Sequence, residues 1–367
     1  MLELPNELLD RILAYLSQTD LYCCLFVNRA FGALASRNIF VEVELNSPEQ
    51  STMLLHHIMD QPTRASWVRG LSYVLRPAWA DMEPSSPHAH TLWHLLHLLK
   101  QLESLSRPPL ISPHKAQCFT SMARLHLSRL SLHGKVKIGT ESVNCAFNDI
   151  FALVLAVPSL EILSLSRIAG DCAATLYSPQ SILPRLRALK VVEASSLTNA
   201  GFKTFCWAIQ QAPVQVEVLA NRHLTPTGYI EALRPFAPYL IHLIIAGDDS
   251  TPSHDMDLPF LRHYVNLQTA RFGGSIVQRR ILSYLSSTVK ELELVRSVEY
   301  EVDYLVLGIE HWGRIRAGPK RLTMKARQFL AHDMHTVQVS PLFGQPRFLL
   351  TDIQMTCQAN GVELVSW

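Results

Sequence analysis

The sequence is short of charge. Of its 367 residues, 17% are Asp, Glu, Lys or Arg and 48% are hydrophobic. Long solvated tails need the opposite balance, so none are expected. Neither sign dominates. Thirty-three Lys plus Arg against thirty-one Asp plus Glu leave a formal charge of +2, which argues against a nucleic-acid-binding surface as the main business. No Cys-x-x-Cys occurs, and the seven cysteines, Cys23, Cys24, Cys118, Cys145, Cys172, Cys206 and Cys357, are odd in number. Neither a zinc ribbon nor a disulfide framework is indicated; reduced thiols in a cytoplasmic or nuclear protein are. No Asn-x-Ser/Thr sequon is present. The longest fully apolar run, Ile150 to Val157, falls well short of the roughly 20 residues a membrane span requires. Glu3 stands where a secretion signal would carry positive charge. No membrane segment and no signal peptide are expected.

What is there begins at once. In "LPNELLDRILAYLSQTD", Pro5 suits the first turn of a helix, because its missing N–H has no helical partner there. Glu7 sits near the positive end of the dipole. Leu8, Leu9, Ile12, Leu13 and Leu16 form an apolar face wider than two-sided packing needs. Ser17 or Thr19 is the next N-cap. Leu21, Cys24, Leu25 and Asn28 share one face of a second helix, and Phe31, Leu34, Ala35 and Ile39 one face of a third. Three short helices in about forty residues do not normally stabilise themselves. The module must bury its surplus against the rest of the chain, as a cap, or against another protein.

These residues resemble an F-box. The matching positions are Leu4, Pro5, Glu7, Leu8, Leu9, Ile12, Leu13, Leu16, Asp20, Leu21, Val27, Asn28, Arg29 and Phe31. Asn28 replaces a commoner Cys and Phe31 a frequent Trp. The resemblance covers about a tenth of the chain. It implies docking onto the Skp adaptor of Skp–cullin–F-box (SCF) ubiquitin ligases, and through it onto cullin. It marks Leu4, Pro5, Leu8, Ile12, Leu21, Cys24, Val27 and Asn28 as contact candidates.

The remainder repeats loosely. "ARLHLSRLSL" at 123–132, "LEILSL" at 160–165, "LRALKV" at 186–191, "LIHLII" at 240–245, "LQTARF" at 267–272 and "VKELEL" at 289–294 resemble leucine-rich repeats. The frame centres on Leu125, Leu163, Leu189, Val216, Leu243, Ala270, Leu292 and Leu322, mostly 22 to 30 residues apart with one gap of 38. That is the period of a strand plus a helix or loop, stacked as a solenoid. Pro158, Pro184 and Pro238 each stand two residues before a strand's first leucine, where proline ends a helix. "WVRGLSYV" at 67–74 is an earlier strand candidate, "LLKQLESL" at 98–105 a weaker one, and "IQMTCQANGVELVSW" a closing helix and strand. After the strands, Leu130, Ile168, Ala194 and Asp248 take the place of the usual asparagine. The expected fold is therefore α/β: an F-box-like domain over 1–45, then a degenerate leucine-rich-repeat solenoid over 46–367 with parallel strands on its concave face. An ordinary leucine-rich α/β sandwich is the alternative.

Catalytic and metal motifs are scarce. His90, His94 and His97, with His88 nearby, share a helical face, but no Glu lies between His90 and His94 as a metalloprotease would need. Asp248, Asp249, Asp255 and Asp257 lack loop-ligand spacing. "FGGS" at 272–275 is too short for a phosphate loop. Cys23 and Cys24 sit on an apolar helix and are expected to pack rather than react. No cofactor and no catalysis are expected. In the repeat frame the residue after each centre faces outward: His126, Ser164, Lys190, Glu217, Ile244, Arg271, Glu293 and Thr323. This row has no run of positive charge, so the expected target is a protein, and Lys190, Arg271 and Glu293 are its candidate contacts. The reading is a substrate receptor of a ubiquitin ligase. The alternative is a repeat scaffold whose F-box serves assembly without degradation.

Overall fold

The computed structural model describes residues 4–74, 90–108, 115–133, 135–138, 141–144, 150, 153–154, 157–166, 186–192, 199–208, 215–219, 231–246, 259–273, 281–296, 308–312, 314, 320–326 and 350–366. The chain divides into two compact units, residues 1–166 and 167–367.

The first unit opens with helices α1 (Asn6–Leu13), α2 (Gln18–Cys24) and α3 (Arg29–Val41). Strand β1 (Glu42–Leu45) follows α3 with no intervening loop, so the sheet starts inside the first 45 residues. Its alternation, Glu-Val-Glu-Leu, replaces the helical period directly. Then come α4 (Pro48–Asp60), β2 (Gly70–Tyr73), α5 (Thr91–Leu98), β3 (Ser104–Ser106), α6 (Lys115–Ala123), β4 (Arg129–His133), the antiparallel pair β5 (Lys135–Ile138) and β6 (Glu141–Asn144), and β7 (Ile162–Ser166). Strands β1, β2, β3, β4 and β7 pair in that order, all parallel.

Parallel strands need a crossover between them. Helix α4 supplies the first. Ser47 caps it, its hydroxyl accepting from the Gln50 N–H at 3.3 Å, with Pro48 at the first helical position. Leu54, Leu55 and Ile58 turn inward and are buried. Along the sheet, Leu71, Leu105, Leu130 and Leu163 stand opposite one another and are buried, while Ser72, Ser106, Ser131 and Ser164 form the outward row beside them.

The second unit holds β8 (Ala188–Val192), α7 (Asn199–Ala208), β9 (Gln215–Leu219), β10 (His242–Ala246), β11 (Thr269–Gly273), α8 (Ile281–Tyr284), β12 (Glu291–Arg296), β13 (Arg321–Ala326), α9 (Leu350–Ala359) and β14 (Glu363–Ser366). Among the described residues its seven strands pair consecutively and all in parallel. Leu189, Val216, Leu243, Ala270, Leu292, Leu322 and Leu364 lie in one register row. Behind them Phe202, Phe205, Phe236, Tyr264, Leu282, Ile309 and Trp312 fill the core.

One expected centre moves. Leu125 follows α6 in a turn, and the strand begins at Arg129. The Leu-x-x-Leu-x-Leu pattern fits "ARLHLSRLSL" at more than one offset. Pairing with β7 selects the offset that buries Leu130 and Leu132 opposite Leu163 and Leu165. The outward residue here is therefore Ser131, not His126, and Leu130 is an inward strand residue rather than a turn position. Ile168, Ala194, Asp248 and Pro184 lie outside the described residues.

Candidate functional site

The N-terminal module is built around three buried side chains, Leu13, Leu21 and Ala35. Leu16, Cys24, Leu25, Phe31, Leu34 and Ile39 pack against them, half-buried. Each helix is started locally. The Pro5 carbonyl accepts from Leu8 N–H at 3.0 Å and Leu9 N–H at 3.1 Å. The Ser17 hydroxyl accepts from Asp20 N–H at 3.2 Å and donates to Asp20 Oδ2 at 2.6 Å. Asn28 Oδ1 accepts from Phe31 N–H at 2.9 Å. So Asn28 is the cap of α3 rather than a member of the α2 stripe. Asn38 Nδ2 donates to Asp10 Oδ1 at 2.8 Å and ties α3 to α1. Gly32 lets the end of α2 approach α3, since a Cβ there would stand 3.0 Å from the Leu25 carbonyl oxygen.

The outer face is what makes the module unusual. Leu4, Leu8, Ile12, Tyr15, Tyr22, Phe26 and Val27 are all exposed. These are seven of the fourteen large hydrophobic side chains found exposed among the described residues, gathered between positions 4 and 27. Tyr15 is 92% exposed and Phe26 88%. Leu8, Ile12 and Tyr15 repeat at helical spacing and form one stripe, turned away from the Leu13–Leu16 stripe that packs inward. Among the eight expected contacts, Leu4, Pro5, Leu8, Ile12, Val27 and Asn28 lie at the surface, Cys24 is half-buried and Leu21 is core. Tyr15, Tyr22 and Phe26 are exposed as well, without having been singled out from the sequence. The signal for them was spacing: Tyr15 is seven residues after Leu8, and Phe26 four after Tyr22.

At its far end the module is fixed to the sheet. The Val41 carbonyl accepts from Arg69 N–H at 2.9 Å. Phe40 meets Trp67 edge to face, centroids 6.3 Å apart, and the Arg64 guanidinium lies 5.2 Å from the Phe40 ring centre.

Residues 1–41 match the family model for the F-box-like domain. The chain carries an F-box-like domain. No curated protein matches the chain. The exposed stripe, the caps and the small core just described are thus the anatomy of this F-box-like domain.

The expected target contacts lie on the outward side of the second unit's sheet. Lys190 Nζ is 2.9 Å from Glu217 Oε2, and Arg271 Nε is 3.4 Å from Glu293 Oε1. Both pairs join residues directly opposite on adjacent strands, with Ile244 between them.

His90 caps α5, and His94 and His97 lie on it. His90 is half-buried, His94 and His97 are exposed, and His94 stacks on Trp93 with centroids 4.7 Å apart. Among the described residues no three His, Cys, Asp or Glu side chains converge as a metal site would need. His88, Asp248, Asp249, Asp255, Asp257, Gly274 and Ser275 lie outside the described residues. Burial pushes the Cys118 thiol up to about 12 and Cys357 up to about 11, and raises Cys206 well above the ordinary range. These thiols stay protonated and unreactive at neutral pH. No helix among the described residues is long and apolar enough to cross a membrane.

Proposed function

We propose that the chain is the substrate-recognition subunit of an SCF-type ubiquitin ligase. The F-box-like domain docks the Skp adaptor, and through it cullin. The strands that follow act as an irregular leucine-rich-repeat solenoid holding a protein target. The observation that carries the reading is the stripe Leu4, Leu8, Ile12 and Tyr15, with Tyr22, Phe26 and Val27, left in water on a matched F-box-like domain. So much exposed apolar side chain on one small module marks a protein interface. The solenoid reading is supported by the shared register of Leu189 to Leu364 on consecutive parallel strands. The chain performs no chemistry in this scheme. It raises the local concentration of target lysines at the ubiquitin-carrying enzyme.

The test is co-purification of the full chain with a Skp adaptor. Ile12→Asp places a charge in the exposed stripe and should abolish adaptor binding while thermal unfolding stays at the parental temperature. Full-strength binding by this variant defeats the proposal.

A further inference from the structure

The two ion pairs on the second unit's sheet are lopsided in a consistent direction. Lys190 is 47% exposed and its partner Glu217 21%; Arg271 is 46% exposed and its partner Glu293 24%. In each pair the carboxylate is sheltered and the cation faces water. The row Lys-Glu-Ile-Arg-Glu is electrically neutral, but within it the cations are the more exposed members; exposed Glu291 lies two residues before Glu293 on β12.

Both cations also keep donors in hand. Arg271 engages Glu293 through Nε, and among the described residues its two terminal nitrogens meet no partner. The contact is an ion pair without a hydrogen bond to Glu293 Oε1, and it leaves the terminal nitrogens as a fork that can take a carboxylate bidentately. Among the described residues Lys190 Nζ pairs with Glu217, and it carries three donors. Lys190, Glu217, Ile244 and Arg271 occupy one register row on β8 to β11. Strands lie about 4.8 Å apart, which sets the two cations about 14 Å apart along the row. An extended peptide covers that distance in about four residues. Half-buried Ile244 lies between them.

We infer that this row is a docking site for an extended acidic segment of a protein. One carboxylate sits on the Arg271 fork, a second about four residues away on Lys190, and an apolar side chain rests on Ile244. This deepens the proposed function, resting on the reading of the sheet as the target-holding part. The first unit's outward row, Ser72, Ser106, Ser131 and Ser164, offers no cation for such a segment.

The test uses the full chain and a fluorescein-labelled peptide, Gly-Glu-Ala-Leu-Ala-Glu-Gly, read by fluorescence anisotropy. Saturable binding is expected in 50 mM salt, at least tenfold weaker in 300 mM salt and at least tenfold weaker for the control with Gln in place of both Glu. Arg271→Gln and Lys190→Gln should each weaken binding severalfold or more. Arg271→Lys, which keeps the charge but not the fork, should also fall below the parent. Unchanged unfolding temperatures show that the variants are folded. Equal binding of acidic and control peptides overturns the inference, as does parental binding by Arg271→Gln; parental binding by Arg271→Lys removes the fork. Ile12→Asp should bind the peptide normally. Adaptor docking without peptide binding therefore rejects this inference alone, and peptide binding without adaptor docking rejects the ligase reading.

Discussion

Arg271 on β11 reaches across to Glu293 on β12, Nε to Oε1 at 3.4 Å, with the arginine twice as exposed as its partner. The pair sits above the buried Ala270 and Leu292, which stand opposite each other in the same register. Its contribution to stability should be small. A double-mutant cycle with Arg271→Ala and Glu293→Ala, followed by urea unfolding, should return a coupling of about 0–1 kcal/mol that shrinks as salt is added. A coupling of about 2 kcal/mol or more would mean that the pair holds the sheet together and is not available to a partner.

The F-box-like domain separates residues that hold it together from residues that face outward. Leu21 is buried in a core of three, so Leu21→Ala should cost about 2–3 kcal/mol and loosen all three helices. Leu4 and Pro5 are exposed, so replacing both by Ala should leave the unfolding temperature near parental and weaken adaptor binding roughly thirtyfold, an interfacial leucine being worth about 2 kcal/mol. Asn28 serves as a cap: Asn28→Ala should cost about 1 kcal/mol and Asn28→Asp little, because Asp also accepts from the Phe31 N–H. Hydrogen exchange across residues 6–41 reads all of these.

Most of the sheet register was legible in the sequence. From Leu163 to Leu322 the expected centres lie in strands and point inward, because a buried parallel strand leaves few places to put its leucines. Leu125 failed because its segment carries the same pattern at two offsets, and only pairing with Leu163 chooses between them. Strand β1 was missed because the chain passes from helix to strand at Val41 and Glu42 with neither Gly nor Pro to mark the change. In the F-box-like domain the family positions were legible, but their direction was not. Leu21 and Val27 are equally family-like, yet one is core and the other exposed. The cross-strand ion pairs follow from register alone; the shelter given to Glu217 and Glu293 does not.

Stability should fall in alkali. Burial pushes Cys118 up to about 12 and Cys357 up to about 11, and raises Cys206, Tyr73 and Tyr264 as well. In the unfolded chain thiols ionise at about 8.5 and phenols at about 10. Above about pH 8.5 the unfolded chain releases protons that the native chain retains, so the unfolded state gains. The stabilisation is complete below that pH and is lost as pH climbs toward 11 or 12. Urea midpoints should hold steady from pH 7 to 8, then decline through pH 9 and 10. A midpoint that stays flat to pH 10.5 would contradict the burial of these groups.

Strand β14 is the last described strand of the second unit's sheet, and it should matter. Leu364 stands opposite Leu322, Glu363 N–H donates to the Lys320 carbonyl at 2.8 Å, and Glu363 approaches Arg321 at 3.7 Å. Just before β14, α9 buries Cys357. Deleting residues 352–367 strips this cover from Leu322 and turns β13, six residues long, into a bare edge. One leucine's worth of burial is about 2 kcal/mol, which lowers the unfolding temperature of a unit this size by about 4–8 °C. The truncated chain should aggregate on heating, and its F-box-like domain should still bind the adaptor, since residues 1–166 form their own compact unit. A truncated chain that unfolds cooperatively at the parental temperature and stays in solution would show that β14 adds nothing to the strands before it.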